Sequence, residues 1–436
     1  MRMKDFTVEL GLAADADKMQ EYVAAFDAEM QRGLCGAQSS LRMLPTYLDP
    51  DAIRVSAARG RVVAIDAGGT NLRVALAEVR EDGAVDILHH ETYPIPGLRG
   101  EVSAREFFDR IAAYLEPVAA RSDRIGFCFS NPAEILPSRD ARIITFTKEV
   151  RVSDAGGVVI GDALRAALKS RGLPSEKSVV VLNDTVATQL AAMTGADAQE
   201  KYGGCIGFIL GTGVNACYTE RNGNIRKDKG LCERPGATIV NTEAGGYSGF
   251  PEAEADRRFM DATAEPARQR FEKMTSGAYQ CDNLLEWIRF AASKGVFSEG
   301  FAVRLKGLKQ IAASDVSAFC ASPRAGGALA GLCTNVTDAA RLRRLTEAFF
   351  DRIAFMLAVM LTALLLRAGD AARDADRPVC ISAEGSVFYG ETLLRERLDR
   401  YMADYARARF GLRHRFARIE HATIRGAAVA GLAAGM

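Results

Sequence analysis

Hydrophobic positions along the chain follow two periods. Between residues 14 and 34, Met19, Tyr22, Val23, Phe26 and Met30 recur at helical spacing, which predicts a helix with one buried face. After the Pro-containing extended connector MLPTYL (43–48), apolar runs at 62–66, 72–79 and around 84–92 predict three strands. A helix follows over 103–118 with Ser103 as its cap, then a strand RIGFCFS (124–130) ended by Asn131-Pro132, and a helix over 160–170. The strand KSVVVLND (177–184) runs at once into the helix TVATQLAAMTG. Residues 204–220, GCIGFILGTGVNACYTE, predict two further strands. The stretch 252–370 is mainly helical, RPVCISA (377–383) is a strand leading into Glu384-Gly385-Ser386, and IRGAAVAGLAAG is a small-residue helix.

Two of these strand pairs are interrupted in the same way. VVAIDAGGTNLRVALAEV (62–79) and residues 204–220 both read apolar strand, Gly-Gly-Thr or Gly-Thr-Gly turn, asparagine, apolar strand. This is a faint internal repeat at a separation of about one domain. No low-complexity linker divides the halves. The pattern predicts two α/β domains, each opening on a glycine-turn hairpin, facing each other across a cleft. Ligands of open α/β folds sit at strand C-terminal ends in such crevices.

Composition narrows the class. The chain has 436 residues, 48% of them hydrophobic, enough for two or three domains at ~100–200 residues each. Net charge is +1 from 56 basic and 55 acidic residues, so no global field favours nucleic acid or an anionic membrane. Nine scattered cysteines without a C-x-x-C pair suggest reduced thiols and a cytoplasmic location, not a disulfide framework or zinc site. The N-terminus carries no long apolar segment, so no secretory signal is expected. The longest apolar run, IAFMLAVMLTALLL, has fourteen residues between Arg352 and Arg367, short of the ~20 a membrane span needs, and predicts a core helix of a soluble protein.

The polar residues in the turns carry the chemistry. A Walker-type loop and a Rossmann G-x-G-x-x-G are both missing. Gly68 and Gly69 nevertheless free the backbone to bring N–H groups to an anion, and Thr70 can add a hydroxyl. Asp66 could hold Mg²⁺ through water and Arg73 could face a phosphate oxygen; a polar hairpin with a structural aspartate is the alternative. Gly211-Thr212-Gly213, with Asn215, would grip a triphosphate from the opposite side. Asn183-Asp184-Thr185 stands at a strand-to-helix junction, where a helix cap worth ~1 kcal/mol is one reading. The other is a carboxylate kept ionised by the helix N-terminus and able to accept a proton from a substrate hydroxyl. Thr145, Thr147 and Lys148 interrupt an otherwise apolar strand, RIITFTKEV (142–150). Glu243 and Glu272, taken singly, read as surface carboxylates. All four histidines (89, 90, 414, 421) lie outside these motifs, which favours a carboxylate mechanism.

Taken in order, these stretches resemble the hexokinase family over nearly the whole chain. MLPTYLDP with AIDAGGTNLRVALAEV is similar to the family's first phosphate motif and its approach, FCFSNP to its Ser-Phe-Pro sugar motif, and TFTKE to Thr-Trp-Thr-Lys-Gly. VLNDTVAT is similar to Asn-Asp-Thr-Val-Gly-Thr, GFILGTGVNACYTE to the second phosphate motif, and VNTEAGGYSG to Asn-x-Glu-Trp-Gly-Ala-Phe-Gly. FEKMTSGAY is nearly verbatim, and AEGSVFYG resembles the adenosine segment. The resemblance implies an α/β, actin-like (ribonuclease H-like) ATPase fold with an active-site cleft between two domains. The small domain would comprise 60–183 plus 424–436, the large one 1–59 plus 184–423.

It further implies ATP-dependent phosphorylation of a hexose, first of all glucose, at the 6-hydroxyl, the first step of glycolysis, with ATP and Mg²⁺ as cofactors. Asp184 and Lys148 would be catalytic. Ser130, Thr147, Lys148, Asn183, Asp184, Asn215, Glu243 and Glu272 would hold the sugar. Asp66, Gly68, Gly69, Thr70, Asn71, Arg73, Gly211, Thr212, Gly213, Gly385 and Ser386 would serve the nucleotide, with Asp66 on the metal side. A monomer or homodimer with no nucleic-acid or membrane partner is expected. Asn131, Phe146, Glu149, Ala244 and Glu384 depart from the family pattern, altering the shell around the polar set. Two rival readings are a sugar sensor without catalysis and an actin- or chaperone-like ATPase without a sugar substrate.

Overall fold

The computed structural model describes residues 5–55, 59–146, 150–194, 198–322 and 326–433. Its frame is two mixed sheets of matching topology. In the first, strand Gly60–Ala67 pairs antiparallel with Asn71–Val79, which pairs antiparallel with Val85–Pro94. On its other side Gly60–Ala67 runs parallel to Arg124–Phe129, and that strand parallel to Ser178–Leu182. In the second sheet Gly204–Leu210, Val214–Arg221 and Ala237–Asn241 form the antiparallel meander. Val379–Glu384 and then His414–Ala417 extend it in parallel, and the short strand Leu44–Pro45 adds to the far edge. Leaving out that short strand, each sheet orders its own strands third, second, first, fourth, fifth. The internal repeat read from the two glycine hairpins is therefore a repeat of whole sheets.

Strand Gly60–Ala67 reads as an unbroken apolar run because it is covered on both faces. Val63, Ile65 and Ala67 join Phe127, Phe129, Val179 and Val181 in a core closed by helices Ala104–Leu115 and Ile160–Ser170. Val62 and Ala64 point the other way, to a core shared with helices Asp184–Ala192 and Ala422–Leu432. These two helices form the layer between the sheets, and glycine lets them approach. A Cβ added at Gly426 would lie 1.9 Å from the Ala187 carbonyl oxygen, and one at Gly207 would lie 2.2 Å from the Thr185 carbonyl oxygen.

Most of the remaining helices pack on the far side of the second sheet. The helix Met19–Cys35 turns Met19, Val23, Phe26 and Met30 inward, as its spacing predicts, and stops at Gly36 in the left-handed region. The apolar run at 353–366 belongs to a 32-residue helix, Val336–Arg367. By length and composition this helix could cross a membrane, yet 89% of its apolar window is buried inside the protein. It is a core helix, as the fourteen-residue length of its apolar run suggests.

Two local expectations fail. Residues 142–150 do not form one apolar strand: the strand is Ala141–Ile143, paired with Ala133–Ile135, and Ile144 is exposed beyond it. Phe146 turns back onto Phe107 and Phe129, which takes the chain off the strand direction. Thr147, Lys148 and Glu149 lie outside the described residues. The edge strand His414–Ala417 has no counterpart in the sequence reading, because RHRFA alternates arginine with half-buried positions and is paired on one side only.

Candidate active site

The three parallel strands of the first sheet end abreast. Asp66 pairs with Cys128 and Cys128 with Leu182, so Asp66, Cys128 and Asp184, two residues on, gather at the C-terminal edge. Period-2 alternation puts Asp66, Arg73 and Cys128 on the face turned toward the helix Ala422–Leu432. There Asp66 is 2% exposed, and its Oδ2 accepts from Arg73 Nη1 at 2.7 Å and from Thr423 Oγ1 at 2.8 Å. The Cys128 thiol is pushed up by burial, by the negative charges of Asp66 and Asp184, and by its hydrogen bond to Asp66; a hydrogen bond from Ser130 opposes them. One thiol thus touches Asp66 and Ser130 and feels the charge of Asp184.

Asp184 is the first residue of its helix, whereas the cap is Asn183, whose side chain accepts from the Thr185 N–H at 3.0 Å. Asp184 Oδ1 accepts from the same N–H at 2.7 Å. The capping reading is therefore filled by Asn183, and Asp184 adds to it from inside the first turn. Its charge is felt on both sides, at Cys128 in the first sheet and at Glu243 beyond the second.

Around Glu243 the polar residues form a connected chain. Asn215 Nδ2 donates to Asn241 Oδ1 at 2.8 Å and lies 3.5 Å from Asn183 Oδ1; Asn241 Nδ2 donates to Glu243 Oε1 at 2.7 Å. Asn215 Oδ1 in turn accepts from the Ala244 N–H at 3.1 Å. Burial pushes the Glu243 carboxyl above the usual glutamate range and the Asp184 charge adds to this, against the Asn241 amide and the Arg42 charge. Glu243 is no surface carboxylate, and it is held with φ 55°, in the left-handed region. Glu272 accepts from the Val214 N–H at 3.2 Å and lies against Gly213 and Gly245, where an added Cβ would come within 2.6 and 3.1 Å of it.

The two glycine turns are closed by their own backbone. Gly68 N–H donates to the Asn71 carbonyl at 3.0 Å and Gly211 N–H to that of Gly213 at 2.9 Å. These two N–H groups are spent on closing the hairpins, so an anion at the first turn would have to meet the N–H groups beyond Gly68. Thr70, Asn71 and Thr212 stand exposed at the tips. The second turn is buttressed: Gly277 N–H donates to the Gly211 carbonyl at 2.8 Å, and Gly385, with φ 119°, backs onto it so closely that a Cβ would lie 2.1 Å from the Leu210 carbonyl oxygen. Ser386 then opens the helix Ser386–Gly390. Burial raises the Glu384 carboxyl, with Arg418 and Arg73 opposing and Asp66 adding. Glu384 of the second sheet therefore feels the charges of Asp66 and Arg73 in the first.

The fold brings together Asp66, Arg73, Ser130, Asn183, Asp184, Asn215, Glu243 and Glu272, with the second glycine turn, Gly385 and Ser386 beside them. Thr147 and Lys148 lie outside the described residues. Among the described residues no three metal-type side chains cluster. The buried Asp66 carboxylate would fit Mg²⁺, since this ion keeps several waters and takes one or two carboxylates plus phosphate oxygens.

Three members were not singled out from sequence. Asn241 had a signal, its i, i+2 spacing to Glu243; Cys128 and Thr423 had none, being apolar-context residues tied to the site only by register and packing. His90 and His421 meet edge to face at 5.2 Å between ring centroids, and burial, His421 and Arg73 hold His90 below the usual histidine range. His90 stands opposite Ala75, on the Arg73 face of the sheet.

Comparison with known proteins gives the same picture. Two family profiles, both described as Hexokinase, match residues 6–194 and 205–433. Hexokinase-3 of Mus musculus is 32% identical over 297 residues, covering 65% of this chain and 31% of the relative. Hexokinase-1 of Homo sapiens is 30% identical over 296 residues, covering 64% and 31%. The chain thus spans about a third of the length of the curated relatives it matches. A solved hexokinase of Schistosoma mansoni, complexed with glucose, superposes with a TM-score of 0.75 at 22% identity, covering 98% of both chains. It carries the actin-like ATPase fold that the two matched sheets display.

Proposed function

The chain belongs to the hexokinase family, and on that premise we propose that it transfers the terminal phosphoryl group of ATP to the 6-hydroxyl of a hexose. The observation that carries this reading is the placement of Asp184. It stands two residues beyond Leu182, which is in register with Cys128 and through it with Asp66, and next to Asn183, which meets Asn215 of the polar chain to Glu243. A base between a polyol-binding cluster and a phosphate-side carboxylate is what phosphoryl transfer to an alcohol requires.

In this reading Asn183, Asn215, Glu243 and Glu272 take the sugar hydroxyls. A polyol demands many short polar partners, and carboxylates accepting from vicinal hydroxyls reject an analogue that lacks one, because they are left buried and unpaired. Asp184 accepts the proton of the attacking hydroxyl as the new O–P bond forms. Arg73, already held over Asp66, faces the phosphate side, and Gly211–Gly213 with Gly385 and Ser386 line the nucleotide side. Mg²⁺, held at Asp66 through water, would neutralise polyphosphate charge when bound. Lys148 and Thr147 are assigned to the sugar side by resemblance alone. Glucose is the first substrate to try, since the Schistosoma mansoni enzyme was solved with it. The two lobes, 60–183 with 424–436 and the rest, would close on the sugar and exclude water that would otherwise hydrolyse ATP.

The test is ADP release coupled to a panel of glucose, mannose, fructose, glucosamine and N-acetylated sugars. Hexose-dependent ADP release is expected, and ATP hydrolysis that ignores every sugar would sink the reading. Asp184→Ala should fold and bind sugar yet lose roughly 10²–10⁴-fold in kcat; turnover near wild type would remove Asp184 from the base role.

A further inference from the structure

The C-terminal helix Ala422–Leu432 reads as filler in sequence, a run of alanine and glycine. Its second residue is not filler. Thr423 Oγ1 donates to Asp66 Oδ2 at 2.8 Å, sharing that oxygen with Arg73. One turn further on, Gly426 meets Ala187 of the Asp184 helix with no room for a methyl group. A single rigid element therefore touches both carboxylates of the site, Asp66 directly and Asp184 through the helix that carries it.

We infer that Thr423 is a positioning residue that fixes the orientation of the Asp66 carboxylate, and that its helix sets the spacing between Asp66 and Asp184. This rests on the proposed phosphoryl transfer, in which Asp66 serves the nucleotide's metal. Three donors converge on Asp66: the Arg73 guanidinium, the Thr423 hydroxyl and the Cys128 thiol. Arg73 comes from the adjacent strand of the same hairpin, with its side chain 40% exposed. Cys128 comes from the strand on the other side. Both move with the first sheet. The Thr423 hydroxyl alone of the three comes from the helix layer, so it ties Asp66 to the element packed on Asp184. With Oδ2 taken by two donors, the direction in which the carboxylate can meet a hydrated cation is set before the cation arrives, the preorganisation that outer-shell hydrogen bonds give to metal ligands.

Thr423→Val keeps the shape and removes the hydroxyl; Thr423→Ser keeps the hydroxyl. Calorimetric titration of the full chain with ADP across a Mg²⁺ series reads the effect without turnover. Thr423→Val should weaken the Mg²⁺-dependent part of ADP binding roughly 10–100-fold, the size of one lost hydrogen bond to a charged group. Hexose affinity should stay within about twofold, and Thr423→Ser should restore most of the loss. Should Thr423→Val bind Mg·ADP as the wild type does, or Thr423→Ser be no better than Thr423→Val, the inference fails. Should Thr423→Val not fold, Thr423→Ser and Thr423→Ala measured at lower temperature decide it by the same comparison. A wild type that binds Mg·ADP with this Thr423 dependence but phosphorylates no hexose would overturn the proposed function and leave the positioning role standing.

Discussion

The contact between the two central helices offers a sharp test of the whole arrangement. Alanine in place of Gly426 should help an isolated helix, by about 1 kcal/mol. Here the new Cβ would lie 1.9 Å from the Ala187 carbonyl oxygen, 2.5 Å from its carbon and 2.6 Å from its Cα. All three are backbone atoms of a buried helix, so no side-chain rotation relieves the clash. Reaching an ordinary contact of 3.4 Å requires the helices to part by about 1.5 Å. Overpacking of this kind costs typically ~1–3 kcal/mol, and more where backbone must move, so the clash outweighs the propensity gain. The shift also moves Thr423 and Asp184 apart, and a misplacement of about 1 Å can cost ~10²-fold in rate. Gly426→Ala should therefore unfold at lower urea concentration and turn over far more slowly. Gly331, an exposed glycine in the helix Ala328–Leu332 with open space around it, is the control: Gly331→Ala should be neutral or slightly stabilising. If Gly426→Ala matches Gly331→Ala in midpoint and kcat, the close packing of the two helices is wrong.

Two further predictions concern single residues. Burial raises the folded-state pKa of Glu243, so the ionised form costs stability at pH 7, where the unfolded chain also carries the charge; the group's favourable contribution is present below its unfolded value and lost as pH rises through the folded one. Glu243→Gln should raise the thermal midpoint at pH 7, with the gap closing as pH falls through the raised folded value and gone below about 4.5, and should weaken hexose binding because a strong acceptor is lost; an unchanged KM for hexose would remove Glu243 from the sugar site. Gly385→Ala places a methyl 2.1 Å from the Leu210 carbonyl oxygen at a φ of 119°, which favours glycine. Calorimetry should show lost ADP affinity with hexose affinity largely kept, and wild-type ADP binding would refute the buttress.

Local signals made much of this legible. The hairpin of Asp66 and Arg73 follows from two apolar runs around a glycine turn, and its register alone sets the two residues opposite each other. The helices at 104–115 and 160–170 were readable from their 3.6-residue stripes. What failed shares a cause. The strand His414–Ala417 exists because Val379–Glu384 offers it a partner, and a four-residue edge segment rich in arginine carries no record of its neighbour. Residues 142–146 look like a strand by composition, yet Phe146 finds a better place against Phe107 and Phe129.

The sequence by itself determined which side chains could do chemistry and the short-range frame each stands on, because turn, cap and strand preferences are settled within a few residues. Only the tertiary structure decided their company. Glu243 becomes a half-buried acceptor through Asn241 and Asn215, His90 and His421 meet on the Arg73 face of the sheet, and Thr423 reaches Asp66 from 357 residues away. Such contacts arise from packing two sheets about a pair of close-fitting helices, and packing depends on shapes that no single stretch of chain contains.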